Sequence, residues 1–197
     1  MNLKDKIQVL DGYVQLVRVD GYDDEISRFA GISHNSDKGP SVSDLIDWGH
    51  TSPFEFAHIT FKVEVPIFVD RHIVRHRTQT RMEKSLRYCK AKDIKVFNPF
   101  DDDELKSRFA TLIQALEQLY KDAIDKGVKK EDARVVLPLG LYTTYYIQFD
   151  LRNFMNFLDL RMDKATQWET RELATAMATI FSEQFPLTAK KYFTKKE

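Results

Sequence analysis

Cysteine is almost missing from this chain. Among 197 residues there is one, Cys89, so no internal disulfide can form, which fits a reducing compartment. Net charge is also missing: thirty basic residues balance thirty acidic ones. Bulk attraction to nucleic acid therefore has no support, and any anion site must be local. No apolar run approaches ~18 residues, which argues against a membrane-spanning helix. The N-terminal MNLKDKIQVL lacks the long apolar core of a secretory signal, so the cytoplasm is the expected location. Glycine and proline are scarce, at seven and six, which predicts a chain made mostly of regular elements. The length suits one domain, spanning residues 1–197.

The pattern along the chain mixes strands and helices without a βαβ rhythm. Residues 7–20 read as strand–turn–strand around Asp11-Gly12. Asp23 or Asp24 can cap a short helix running to Ala30, and a second short helix is expected from near Ser43 to Gly49. His58 to Val65 alternates, with Ile59, Phe61, Val63 and Val65 on one face, as in a half-buried strand. A helix is predicted over 67–78 after Pro66, and the longest one over 101–126, with Leu105, Phe109, Leu112, Ile113, Leu116 and Tyr120 at helical spacing. Further helices are expected at 130–137, 151–159 and 163–185, with a strand from Leu141 to Phe149. The fold class is α+β, with a mostly antiparallel central sheet covered by helices.

The strongest local feature is the cationic run from Arg75 to Tyr88, which holds Arg75, His76, Arg77, Arg81, Lys84 and Arg87. Helical geometry over 67–78 would stack Arg71 on Arg75 and His72 on His76. Extended geometry beyond it would turn Glu83, Ser85 and Arg87 to one side. A guanidinium can hold a phosphate through paired hydrogen bonds, a hydroxyl adds a donor, and a carboxylate accepts from a ribose hydroxyl or a heterocycle N–H. Such a set suits a nucleotide. The alternatives are a solvated basic helix, a zinc site on His72 and His76, and a nucleic-acid module. The zinc site lacks the glutamate of the protease pattern. On spacing alone, Arg134 and Arg161 suit ion pairs with Asp132, Asp159 or Glu169.

The same segment resembles the signature of the flavin-dependent thymidylate synthases: Arg75-His76-Arg77, seven residues, then Ser85, with Glu83, Arg87 and Tyr88 at the family's flanking positions. His50-Thr51-Ser52-Pro53-Phe54-Glu55, the run from Ala133 to Pro138, the run from Asn156 to Arg161, and the run from Ala165 to Glu169 resemble further blocks of that family, in its order. The resemblance implies the thymidylate synthase-complementing protein fold and reductive methylation of dUMP to dTMP. Methylenetetrahydrofolate would give the carbon, and NADPH the electrons through FAD. It also implies a homotetramer with shared active sites. By motif, Ser52, Arg75, His76, Arg77, Glu83, Asp150, Arg152 and Asn156 would contact FAD. His72, Arg75, Glu83, Ser85, Arg87, Arg134 and Arg161 would bind dUMP, with Arg161 as the catalytic group against the uracil. No metal is implied.

The sequence departs from the family pattern at Met82, where an asparagine is usual, at His72 for glutamine, and at Asp150-Leu151-Arg152 for Asn-x-Arg. These departures keep two alternatives open. One is a dUMP one-carbon transferase with a different product, such as a hydroxymethyl group. The other is a nucleotide- or flavin-binding relative without catalysis.

Overall fold

The computed structural model describes residues 6–92 and 94–196. Residues 1–5, half of the N-terminal stretch read above for a secretory signal, lie outside them. Strands β1 (Lys6–Val9) and β2 (Gly12–Asp20) form the opening hairpin. The turn residues are Leu10 and Asp11, both at positive φ, and not Asp11-Gly12. Gly12 is needed for another reason: a Cβ there would lie 2.0 Å from the Glu64 carbonyl oxygen on the neighbouring strand. Helix α1 (Asp23–Gly31) and helix α2 (Val42–Trp48) follow. Ser41 caps α2 by accepting from the Asp44 N–H at 3.1 Å, and Gly49 closes it at φ +73°.

Strand β3 (His58–Pro66) carries the predicted alternation: Ile59, Phe61, Val63 and Val65 are fully buried. Helix α3 (Ile67–Ile73), strand β4 (Thr80–Glu83), helix α4 (Asp103–Asp125) and helix α5 (Lys130–Ala133) come next. Strand β5 (Tyr142–Asp150) then leads into helices α6 (Leu151–Arg161), α7 (Trp168–Gln184) and α8 (Pro186–Thr194). The strands pair antiparallel throughout, in the order β1-β2-β3-β5-β4. This is the expected α+β class. Phe61 and Phe149 of the sheet meet Phe154 of α6, which also packs on Phe157 and on Phe181 of α7. That aromatic cluster anchors the helical layer to one sheet face. Among the described residues no helix is long and apolar enough to cross a membrane.

Several elements differ from their predicted bounds. Helix 67–78 stops at Ile73, because the Gln79 side-chain amide donates to the Ile73 and His76 carbonyls at 3.1 and 2.6 Å and closes the turn. The helix expected over 163–185 begins at Trp168. Asp163 folds 163–166 into a turn, accepting from the Ala165 N–H at 2.7 Å. The helix over 130–137 tightens into a 3₁₀ turn at Arg134–Val136. α8 is an additional helix, started by Pro186. Asp23 does not cap its own helix. Its carboxylate accepts from the Leu187 and Thr188 N–H groups at 2.8 and 3.1 Å, so it caps α8.

Candidate active site

β4 is the strand that presents the signature. Arg81 and Glu83 stand opposite Ile147 and Tyr145 of β5, on the helix-covered face, while Thr80 and Met82 stand opposite Gln148 and Tyr146 on the other. Met82 is therefore exposed and points away from Glu83. Past Glu83 the chain does not stay extended to Arg87. The Ser85 carbonyl accepts from the Tyr88 and Cys89 N–H groups at 3.1 and 3.0 Å, which makes a turn. Arg87 consequently leaves the face shared by Glu83 and Ser85.

Glu83, Ser85 and Arg134 do converge. With Leu86, Tyr142 and Thr143 they line a cleft of about 430 Å³, a size suited to a small ligand. One Glu83 oxygen accepts from the Thr143 hydroxyl at 2.7 Å and the other from Arg81 at 3.0 Å. The Ser85 Oγ accepts weakly from the Arg87 N–H at 3.3 Å, which leaves its own proton for a ligand. Arg134 reaches back only to the Glu131 carbonyl, at 3.3 Å through Nε, so the tip of its fork is uncommitted. The ion pairs expected from spacing, with Asp132 for Arg134 and with Asp159 or Glu169 for Arg161, do not form. Arg87 lines a neighbouring crevice with Lys90 and Lys130, and its Nε donates to Glu131 at 2.7 Å.

Arg161, the last residue of α6, donates from Nε to His76 Nε2 at 2.9 Å. His76 must then accept, so its ring is neutral. Burial first and the Arg161 charge second lower its pKa to about 4. Burial also lowers the Arg161 guanidinium from its usual value. The His76 ring packs edge-on against Phe157, 5.0 Å between centroids. His72 is held separately, with Nδ1 3.1 Å from the Thr170 hydroxyl. The predicted stacking of His72 on His76 is therefore absent, since only His72 lies in α3. Among the described residues no group of three or more metal-type side chains is assembled.

Arg75 and Arg77 sit on the turn after α3, exposed, with no carboxylate partner among the described residues. Arg77 lines a polar hollow of about 300 Å³ with His58, Gln148 and Asp150. Asp150 caps α6: its two oxygens accept from the Asn153 N–H and side-chain amide at 2.9 and 2.8 Å. A cap needs only an acceptor, so aspartate serves there as well as asparagine. Arg152 pairs with Glu55, and Asn156 is exposed one turn further along α6. Ser52 lines another hollow, about 370 Å³, with Trp48, His50 and Phe56. Within one chain the residues named from the motifs thus fall into several neighbouring groups. Two further residues, Arg81 and Gln79, shape the site without standing out in the sequence. Their signal was present only as polarity beside a strand start.

Comparison with known proteins adds to this geometry. The model of the family described as thymidylate synthase complementing protein matches residues 13–187. A flavin-dependent thymidylate synthase of Thermotoga neapolitana is 38% identical over 198 residues, covering 93% of this chain and 92% of that protein. One from Thermus thermophilus is also 38% identical, covering 92% of this chain and 76% of that protein. Among solved structures, a UMP/dUMP methylase, PolB, from Streptomyces cacaoi bound with 5-Br dUMP superposes with a TM-score of 0.81 at 27% identity. That match covers 93% of this chain and 95% of the other.

Proposed function

The chain belongs to the thymidylate synthase complementing protein family, and on that premise we propose that it is a flavin-dependent thymidylate synthase, methylating dUMP to dTMP. The observation that carries the proposal is the convergence of Glu83, Ser85 and Arg134 on one cleft of nucleotide size. Glu83 accepts from a ribose hydroxyl or a base N–H. Ser85 and the free fork of Arg134 donate to phosphate oxygens from within the cleft, and Arg87, in the adjoining crevice, reaches the same phosphate from outside it with the outer nitrogens left over from its bond to Glu131. Arg161 is held by a neutral ring and not by a carboxylate, so its charge stays available to stabilise negative charge developing on the uracil.

The donor set also fits a flavin dinucleotide. Arg75 and Arg77 are exposed cations without carboxylates, as a pyrophosphate requires, and Ser52, His76, Asp150, Arg152 and Asn156, in neighbouring groups of the single chain, are the further residues that would hold it. Bound FAD would supply the redox chemistry, relaying electrons from NADPH to the carbon delivered by methylenetetrahydrofolate. The protein's part is to hold, orient and polarise.

The assembly proposed is a homotetramer with shared active sites, each chain acting as one domain. Support comes from α4, where Leu105, Leu112 and Leu119 recur along one side and remain exposed in the single chain. Another copy covering that side and bringing the separate residue groups together would explain both facts. The test is a titration with FAD followed by NADPH oxidation with and without dUMP. Flavin binding and dUMP-stimulated oxidation support the proposal; a protein that takes up no FAD refutes it. Because the PolB neighbour is a UMP/dUMP methylase, UMP belongs in the same assay as a competing substrate.

A further inference from the structure

Beneath the nucleotide cleft lies a polar cluster in which Glu83 is the one member named by the motif. Arg81 is almost buried, with 13% of its side chain exposed, and pairs with two carboxylates at once: Asp70, at 7%, and Glu83, at 39%. Its guanidinium carbon lies 3.9 Å from the centre of the Tyr145 ring, so a fully buried aromatic face supports the cation from one side. Asp70 comes from the buried side of α3, Arg81 and Glu83 from β4, and Tyr145 and Thr143 from β5. Three elements thus meet at one guanidinium.

The consequence reaches the cleft wall. Glu83 has one oxygen tied to Thr143 and the other to Arg81. A carboxylate held by two donors is fixed in orientation and turns its remaining acceptor lone pairs to whatever enters. Without Arg81 it would be held by the Thr143 hydroxyl alone, and its uncompensated charge would oppose a phosphorylated ligand. Asp70 in turn fixes Arg81, because a buried cation held by a single exposed carboxylate would have little reason to stay.

We infer that Arg81, locked by Asp70 and Tyr145, is the positioning residue that sets Glu83 as a fixed acceptor for a hydroxyl or N–H of the bound nucleotide. This rests on the reading of the cleft as the dUMP site. Arg81 touches no substrate; it acts through Glu83.

The test measures dUMP affinity, KM and kcat, and FAD affinity, in the FAD-loaded protein. Arg81→Gln alone strands a buried carboxylate, so the main variant is Asp70→Asn with Arg81→Gln, which keeps shape and removes both charges. It should bind dUMP about tenfold more weakly, the worth of one misplaced charge-assisted hydrogen bond. KM should rise in step, with FAD affinity held within about twofold, which a general loss of structure would not give. In a Glu83→Gln background the same double change should cost nothing further, because Arg81 acts only through that carboxylate. Arg81→Lys keeps the buried charge but lacks the planar fork, and it should weaken dUMP binding in the same direction. If the double variant fails to fold, Arg81→Lys decides the matter. Unchanged dUMP affinity in the variants overturns the role of Arg81 alone, as does a penalty that simply multiplies with that of Glu83→Gln. A wild-type protein that binds FAD but not dUMP overturns both this inference and the assignment of the cleft.

Discussion

Acidification should destabilise this fold through one imidazole. His76 accepts a hydrogen bond from Arg161 and packs on Phe157, and burial followed by the Arg161 charge lowers its pKa to about 4. In the unfolded chain the same ring titrates near its ordinary value of about 6.5. A depressed histidine favours the folded state fully above the unfolded value. Between roughly pH 6.5 and 4 the unfolded chain binds the extra proton, so this stability is lost as pH falls through that window. The unscreened ceiling is about 3 kcal/mol. The ring is only half-buried, so solvent screening brings the expected loss to about 1–2 kcal/mol. Urea unfolding at pH 7 and pH 4.5 should show the wild type losing that much more than His76→Gln. The His76 ring proton, followed by NMR, should titrate well below the usual range. Arg161→Ala should raise that midpoint only part of the way, because burial is the larger cause. A midpoint near 6.5 in the wild type, with the same pH slope in His76→Gln, would show that the His76 ring contributes nothing to the acid sensitivity of the fold.

Other perturbations test separate parts of the structure. Phe154→Ala removes the ring that joins Phe61, Phe149 and Phe181, and should cost about 3–5 kcal/mol by denaturant titration. Asp150→Ala deletes the α6 cap and should cost about 0.5–2 kcal/mol, whereas Asp150→Asn should be close to neutral in the same experiment. Arg87→Ala breaks an exposed pair with Glu131, so stability should change by less than about 1 kcal/mol. Its effect should instead be a rise in KM for the phosphorylated substrate.

Legibility in the sequence followed the range of the forces involved. The alternation of β3 and the long periodic helix α4 were readable because burial there is a local pattern. The exposure of much of α4 was not, since apolar spacing does not say whether the covering surface is the same chain or another copy. The end of α3 was hidden because its cap comes from the Gln79 side chain, folding back from outside the helix. Asp23 looked like a cap for α1, yet it serves α8, far along the chain. The cleft trio Glu83, Ser85 and Arg134 was legible through motif spacing. The ring partner of Arg161 was not, because an arginine–histidine contact depends on how α6 meets the turn after α3. In the sequence Arg81 reads as one more charge in a basic run; its burial is set by β5 and α3, which no local spacing reports.

The protein, incubated with FAD, NADPH, methylenetetrahydrofolate and dUMP, should give a product identified by mass spectrometry as dTMP, and Arg161→Ala should abolish most of it while still binding flavin. A hydroxymethylated product, no product from the FAD-loaded wild type, or full activity in Arg161→Ala would contradict the account.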